Sequence, residues 1–320
     1  NVNFVSYIIT AYNKRKYIQS VFNALSTEGG KHKREYIVVD DGSTDNTSLI
    51  LRKLAPKLPG KLRIIKRGNL GASYSTNEAI KMATGYWIRL LDGDDLITYK
   101  STEKMLFLAR CYKVSLVYGL ISKENIKEYN IFFNYKKQSR EEGLKKFIRN
   151  CPANSSSILV SKKRYFKAGG CDEDFVSPDQ VLFLRLFLTG SAMFLNVVVA
   201  RIPKTQKADR LSSQVKRSRY ESILALINLC KENPSLEKNF LKQAYKRALS
   251  RANTYSKYFS KSYLSKYWIM YIISKFFFPI FYKKLMYESL KVFTSNKFTR
   301  PYKWKTGANK LSISSKFIKK

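Results

Sequence analysis

The sequence predicts an α/β fold, a parallel Rossmann-like sheet with helices on both faces, continued by a C-terminal helical region that is basic and aromatic. Three observations carry the prediction. Strand-like and helix-like runs alternate from the first residues with short connections, the pattern that parallel sheets impose. Four successive strand-like runs each empty into a polar cluster, at Thr10 to Asn13, Asp40 to Ser43, Gly68 to Gly71 and Asp92 to Asp95. Ligands bind outside the carboxyl ends of the strands in such sheets, so these clusters would share one edge. Beyond Arg201 the character changes, which divides the chain into an α/β unit, residues 1–205, and a helical unit, residues 206–320.

The first strand, Val2 to Thr10, is β-rich, and the helix after it carries Tyr17, Ile18, Val21, Phe22 and Leu25 at helical spacing. The second, Tyr36 to Val39, stops at Asp40-Asp41-Gly42-Ser43-Thr44-Asp45, where Ser43, Thr44 or Asp45 can cap a helix over Asn46 to Leu54. A third strand, Leu62 to Lys66, precedes a helix from about Ser73 to Ala83, and the fourth, Tyr86 to Leu91, leads into Asp92. Lys104 to Cys111 reads as a helix, Val114 to Ile121 as a strand and Ser122 to Asn150 as a polar, Lys-rich surface insertion. Ser155 to Val160 returns to a strand pattern, and Pro178 opens a helix to about Leu188, a position where its missing N–H loses no partner. Glu221 to Cys230 and Leu236 to Tyr255 read as amphipathic helices.

Composition narrows the chemistry. Four cysteines lie far apart with no Cys-x-x-Cys pair, which gives neither a zinc site nor a disulfide framework and suits a reducing compartment. The one histidine, His32, lies in GGKHKR and is expected as a solvated loop residue, so Ser-His-Asp and Cys-His catalysis have almost no material. The first residues read as a strand and no charged-then-apolar leader precedes them, from which a cytoplasmic protein is expected. The formal charge is +37, and from Arg201 onward 28 Lys and Arg stand against 5 Asp and Glu. That asymmetry points to a polyanionic partner, either nucleic acid or an anionic membrane surface.

Within this basic chain the run ATGYWIRLLDGDDL crowds Asp92, Asp94 and Asp95 at a strand end. Such carboxylates repel one another and persist most easily around a cation, and all-oxygen ligands suit Mg²⁺ or Mn²⁺, ions that arrive with phosphates. The same residues also make an ordinary polar turn.

SYIITAYNKRKYI, YIVVDDGSTDNT, NLGASYSTNEAIKMATGYWIRLLDGDD, GGCDEDF and PDQVLFLRL, in unbroken order from Val2 to Leu188, resemble the family 2 glycosyltransferases of the GT-A fold. The resemblance implies an inverting, metal-dependent transferase that moves a sugar from a nucleotide-sugar, UDP-linked by expectation, to a hydroxyl. It places Thr10, Ala11, Tyr12 and Asn13 beside the nucleobase, with Asp41 accepting from the base N–H and Asp40 near enough to share that role. Asn69 and Gly71 would let the backbone pass close to the nucleotide, with Asn77 orienting their loop. Asp92 would face the ribose or sugar, while Asp94 and Asp95 supply the metal ligand that bridges to the diphosphate. A late histidine that ligates metal in many relatives has no counterpart in KADRLSSQ, where Asp209 or water would substitute. The Glu-Asp pair ahead of the last helix is Pro178-Asp179 here, which keeps Asp179 as the general base, and Asp172 and Asp174 fall on the acceptor side.

Tyr263 to Met286 is nearly a membrane segment, but Lys266, Lys275 and Pro279 interrupt it. A spanning helix wants about 20 mostly apolar residues. The composition instead suits a segment lying in the headgroup layer, or a helical subdomain packed on the sheet. The first reading gives a peripheral enzyme at the inner face of the cytoplasmic membrane, acting on a glycan or lipid-linked acceptor for cell-surface polysaccharide or lipopolysaccharide. Two rivals remain, a basic nucleic-acid-binding protein and an inactive GT-A-fold protein that binds glycans. Acids on the ligand edge, and lysines with no nucleic-acid-reading motif among them, argue against nucleic acid as a partner.

Overall fold

The structure, a computed structural model, describes residues 2–122, 134–202, 215–259, 261 and 263–293. The first half alternates as the sequence predicts: β1 (Phe4–Ala11), α1 (Ile18–Thr27), β2 (Lys33–Asp40), α2 (Thr47–Leu54), β3 (Lys61–Lys66), α3 (Ala72–Met82) and β4 (Trp87–Asp92). These four strands pair in parallel, in the order β3-β2-β1-β4. Next in the chain come β5 (Leu96–Ile97), α4 (Ser101–Cys111), β6 (Leu116–Ser122), β7 (Tyr135–Gln138), α5 (Arg140–Arg149), β8 (Ile158–Ser161), α6 (Lys162–Lys167), α7 (Asp179–Leu188) and β9 (Ala192–Arg201). The sheet continues from β4 through β8, β6 and β9 to β5, with β7 on β9. This second half is mixed, because β8 runs antiparallel to both β4 and β6.

Alternation along the strands sorts side chains into two layers. In β1, Val5, Tyr7, Ile9 and Ala11 face a core made with α1, α2 and α4, whereas Ile8 joins a second core with α3, α5 and α7. That second core also takes in α8 (Val215–Glu232) and α9 (Lys238–Phe259), so the C-terminal helices pack directly on the α/β layer. The boundary expected near residue 205 lies outside the described residues.

Three sequence expectations change. Of the Lys-rich stretch 122–150, residues 123–133 lie outside the described residues, and α5 is not a surface insertion: its Leu144, Phe147 and Ile148 are buried, and the Phe147 and Phe183 rings stack with centroids 4.5 Å apart. Lysines on the outer face of this amphipathic helix masked its apolar stripe. His32 is not a solvated loop residue: it is half-buried, with Nε2 2.7 Å from the Tyr7 hydroxyl. Burial is the main reason its pKa falls to about 4, which keeps the ring neutral. The tail, finally, is neither a single segment nor wholly docked. α10 (Lys266–Phe276) and α11 (Tyr282–Ser289) are separate helices, each with one side against the second core.

At Gly143 the α5 backbone meets α7, where an added Cβ would lie 1.9 Å from Phe187 Cδ1. Gly→Ala inside a helix ordinarily stabilises. Here Gly143→Ala is expected to lower stability by about 1–3 kcal/mol through overpacking, measured as a reduced midpoint in urea unfolding.

Candidate active site

The carboxyl edge of the parallel half gathers the predicted clusters. Gly93 N–H donates to Thr10 O (2.9 Å) and Asp41 N–H to Ala11 O (2.8 Å), which ties the ends of β4 and β2 to that of β1. Asn13 adopts a left-handed φ of 52°. Its backbone N–H donates to Ser43 Oγ and its Oδ1 accepts from Thr44 N–H, so it splices the first loop to the second. Tyr12 stands out from this edge, 39% exposed. Asp40 is fully buried and accepts from Ser43 N–H and Ser48 Oγ. Asp41 accepts from Leu70 N–H (2.8 Å) and Gly71 N–H (2.7 Å), with Arg67 3.5 Å away, and thereby shapes the Arg67–Gly71 loop that contains Asn69. Gly71 turns that loop at φ 92°, and Gly42 (φ +83°) admits it closely, since a Cβ there would sit 2.7 Å from Asn69 N.

Asp92, Asp94, Asp95 and Asp179 meet at the next strand end. The Asp92 carboxylate has no hydrogen-bond partner among the described residues, and its pKa is driven well up, first by burial and then by Asp95, Asp179 and Asp94. Asp94 accepts an ion pair from Lys14 Nζ at 2.6 Å. Asp95 is buried, takes a 3.4 Å contact from Asn154 Nδ2, and is pushed up to about 7, mainly by burial, against hydrogen bonds from Ser156 and Asn154. At the first residue of α7, Asp179 Oδ1 accepts from both the Ser155 N–H (2.8 Å) and its hydroxyl (2.9 Å). Burial raises its pKa too, while Oδ2 has no partner among the described residues.

The segment 154–157 supports this pocket. Ser156 Oγ accepts from Asp92 N–H (3.0 Å), and Ser156 O accepts from Arg89, a fully buried side chain of β4 that also reaches Ile158 O and Val199 O. Sequence reasoning missed Lys14, Arg89, Asn154, Ser155 and Ser156. Asn-Ser-Ser-Ser carries no signal of its own, and Lys14 is one lysine among many; only the basic residue following Asn13 at the ligand edge marked it.

Other expectations land elsewhere. Asn77 does not orient the Asn69–Gly71 loop. Its Nδ2 donates to Cys171 O and Glu173 Oε1, and its Oδ1 accepts from Tyr165 Oη and Cys171 N–H, so it clamps the later Gly-Gly-Cys-Asp loop. In that loop Asp172 pairs with Arg185 at 3.1 Å and accepts from Asp174 N–H. Asp209 lies outside the described residues.

The donor set fits a hard divalent ion. It is all oxygen, its carboxylates are crowded and under-compensated, and beside Asp95 the buried Asn154 Oδ1 has no partner among the described residues. Among the described residues no three His, Cys, Asp or Glu side chains are arranged to hold an ion by themselves. Asp94 and Asp95 would therefore hold it together with ligand oxygens.

A family profile described as "Glycosyl transferase family 2" matches residues 6–173. Over 100 residues the chain is 37% identical to the poly(ribitol-phosphate) beta-N-acetylglucosaminyltransferase TarS of Staphylococcus aureus, covering 31% of this chain and 17% of that protein. Hyaluronan synthase of Pasteurella multocida is 35% identical over 105 residues, 33% of this chain and 11% of that protein. The matches thus span well under half the length of these curated relatives. In three dimensions, S. aureus TarS 1-349 in complex with UDP-GlcNAc superposes with a TM-score of 0.64 at 20% identity, over 84% of this chain and 79% of that one. The mannosyltransferase PcManGT of Pyrobaculum calidifontis, in complex with GDP-Man and Mn2+, gives 0.55 at 18% identity, over 91% and 86%. At such identities the likeness establishes the fold.

The raised carboxyl pKa values have a measurable consequence. Asp95 moves from 3.8 to about 7, so between those values the folded chain holds a proton that the unfolded chain has released. The contribution of Asp95 to the stability of the metal-free protein therefore falls as pH rises through that window and is constant above it. Asp95→Asn is expected to flatten much of that decline and to raise Tm at pH above 7, read by thermal unfolding in chelator; an unaltered slope refutes the assignment.

Proposed function

The chain belongs to glycosyl transferase family 2, and from that premise we propose that it moves a sugar from a UDP-sugar to an acceptor hydroxyl with inversion at the anomeric carbon. The observation that carries the reading is the meeting of three strand-end aspartates with Asp179 in one pocket, on an edge that also presents Tyr12 and the Asp41-shaped loop. The UDP-GlcNAc bound by the TarS structure favours a uridine nucleotide over the GDP-Man of the mannosyltransferase, whose fold is less similar.

Tyr12 offers an aromatic face for a base, and the Arg67–Gly71 loop approaches the nucleotide through its glycines. Asp92 orients the ribose or sugar, and Lys14 lies where a diphosphate would need a cation. When bound, Mn²⁺ or Mg²⁺ on Asp94 and Asp95 supplies Lewis-acid stabilisation of charge on the departing diphosphate. As the acceptor oxygen bonds to the anomeric carbon and the bond to the diphosphate breaks, Asp179 Oδ2 takes the hydroxyl proton. Ser155 fixes Oδ1, so the free oxygen is held in one orientation, and its raised pKa improves it as a base.

For the acceptor we infer a cell-surface glycan or its lipid-linked precursor, handled at the inner face of the cytoplasmic membrane. Among the described residues no helix is long and apolar enough to cross a membrane. The support lies in α10, whose Tyr267, Met270 and Tyr271 pack on the second core while Ile269, Ile273 and Phe276 line an outward face. Phe277, Ile280 and Phe281 extend that face, with Ile280 fully exposed, and Lys275 and Lys284 border it. An apolar ridge with a basic rim suits an anionic bilayer.

Asp179→Asn is expected to lower kcat roughly 10²- to 10⁴-fold with donor affinity kept, measured by transfer assays and by titration with UDP-sugar. Chelation should stop turnover and added Mn²⁺ restore it. Flotation with phosphatidylglycerol vesicles should retain the wild type and lose Ile280→Asp/Phe281→Asp; equal retention of both would remove the membrane reading.

A further inference from the structure

The C-terminal helices and the end of α5 gather four guanidinium groups that no carboxylate matches among the described residues. Arg247 and Arg251, one turn apart on α9, share a face. That face runs along the end of α5 and reaches the start of α7. Gln243 Nε2 donates to Lys145 O (3.0 Å), Arg247 Nη2 to Asn150 Oδ1 (2.9 Å), and Arg251 Nη1 to Gln180 Oε1 (3.2 Å) and Ser222 O (2.5 Å). Arg149 ends α5 and Arg219 lies in the second turn of α8, both exposed.

These charges press on one another. After burial, the pKa of Arg247 is lowered by Arg149 and Arg219, and that of Arg251 falls to about 9, through burial first and then Arg247. Among the described residues the buried Arg247 Nε has no hydrogen-bond partner. Among the described residues, none of the four forms an ion pair. Like charges held this close without counterions favour an anion between them.

Their position ties the patch to catalysis. Gln180, which receives Arg251, directly follows Asp179, and Asn150, which receives Arg247, begins the short segment that leads to Ser155. Cys151 in that segment feels Asp179 and Arg251 together. The donor diphosphate belongs with Lys14, Asp94 and Asp95, so an anion bound here would arrive with the acceptor. Guanidinium forks suit a phosphate, whose several oxygens take bidentate hydrogen bonds from more than one arginine.

We propose that Arg149, Arg219, Arg247 and Arg251 form a subsite for a phosphate group of the acceptor, so that the hydroxyl offered to Asp179 sits on a phosphate-bearing glycan, polyol or lipid. The proposal rests on the transfer reading above and names its acceptor class.

The test titrates the full chain with two phosphate probes, a short synthetic glycerol-phosphate oligomer and neutral-lipid vesicles carrying a polyprenyl diphosphate, against an uncharged oligosaccharide control. Wild type is expected to bind a phosphate probe with an affinity that falls as salt rises. Arg149→Gln/Arg219→Gln, both exposed positions, should weaken that binding by about tenfold or more, while Arg149→Lys/Arg219→Lys keeps most of it. Circular dichroism and Tm of the variants report folding. Binding of the oligomer assigns a soluble phosphodiester source, and binding of vesicles alone assigns a lipid-borne one; both support the subsite. Equal affinity in wild type and the glutamine variant, salt-independent binding, or no binding of either probe overturns it. Salt-dependent phosphate binding without any nucleotide-sugar turnover keeps the anion site and overturns the transfer reading instead.

Discussion

The organising constraint is electrostatic: four carboxylates share one pocket, and burial resists ionisation of Asp92, Asp95 and Asp179, with repulsion from neighbouring acids adding to it at Asp92 and Asp95. In a chain of formal charge +37 the obvious remedy would be lysines around the pocket, yet among the described residues Lys14 is the only cation that ion-pairs with any of the four. The deficit is what equips the pocket for a cationic ligand with phosphates attached. A fully neutralised pocket would have no reason to take one.

Holding such a cluster together demands a stiff frame. Arg89 supplies it from inside the sheet by donating to carbonyls of Ser156, Ile158 and Val199, and Ser156 in turn fixes the backbone of Asp92. Ser155 then carries the same frame to Asp179 on α7. The acids therefore come from different elements but share one support, in which the Arg89 and Ser156 side chains bond to backbone. Such bonds leave carboxylate oxygens available for a ligand.

The parallel half of the sheet was legible because its signals are local: alternating apolar residues, and polar clusters where strands end. The same signals located Thr10 to Asn13, Asp41, and Asp92 to Asp95 on one edge. Asp179 was reached through motif resemblance, since a lone Asp after Pro178 at a helix start is also what capping and the helix dipole favour. What stayed hidden depends on long-range pairing. Asn77 read as a nearby loop residue because its partners, Cys171 and Tyr165, lie far along the chain. The arginines of α9 were counted as general basicity, since nothing local reveals that Arg149 and Arg219 come to meet them. Helix α5 was misjudged because lysine density outweighed its buried stripe.

Arg89 has a consequence for how the molecule comes into being. It lies in β4 and is synthesised before two of its carbonyl partners, on Ser156 and Val199, which follow 67 and 110 residues later. Until those segments arrive, closing the sheet over this side chain would strand a cation in apolar surroundings, so the nascent first half has a built-in reason to stay open. The full set of Arg89 bonds is thereby postponed to the moment β9, the strand that carries Val199, docks.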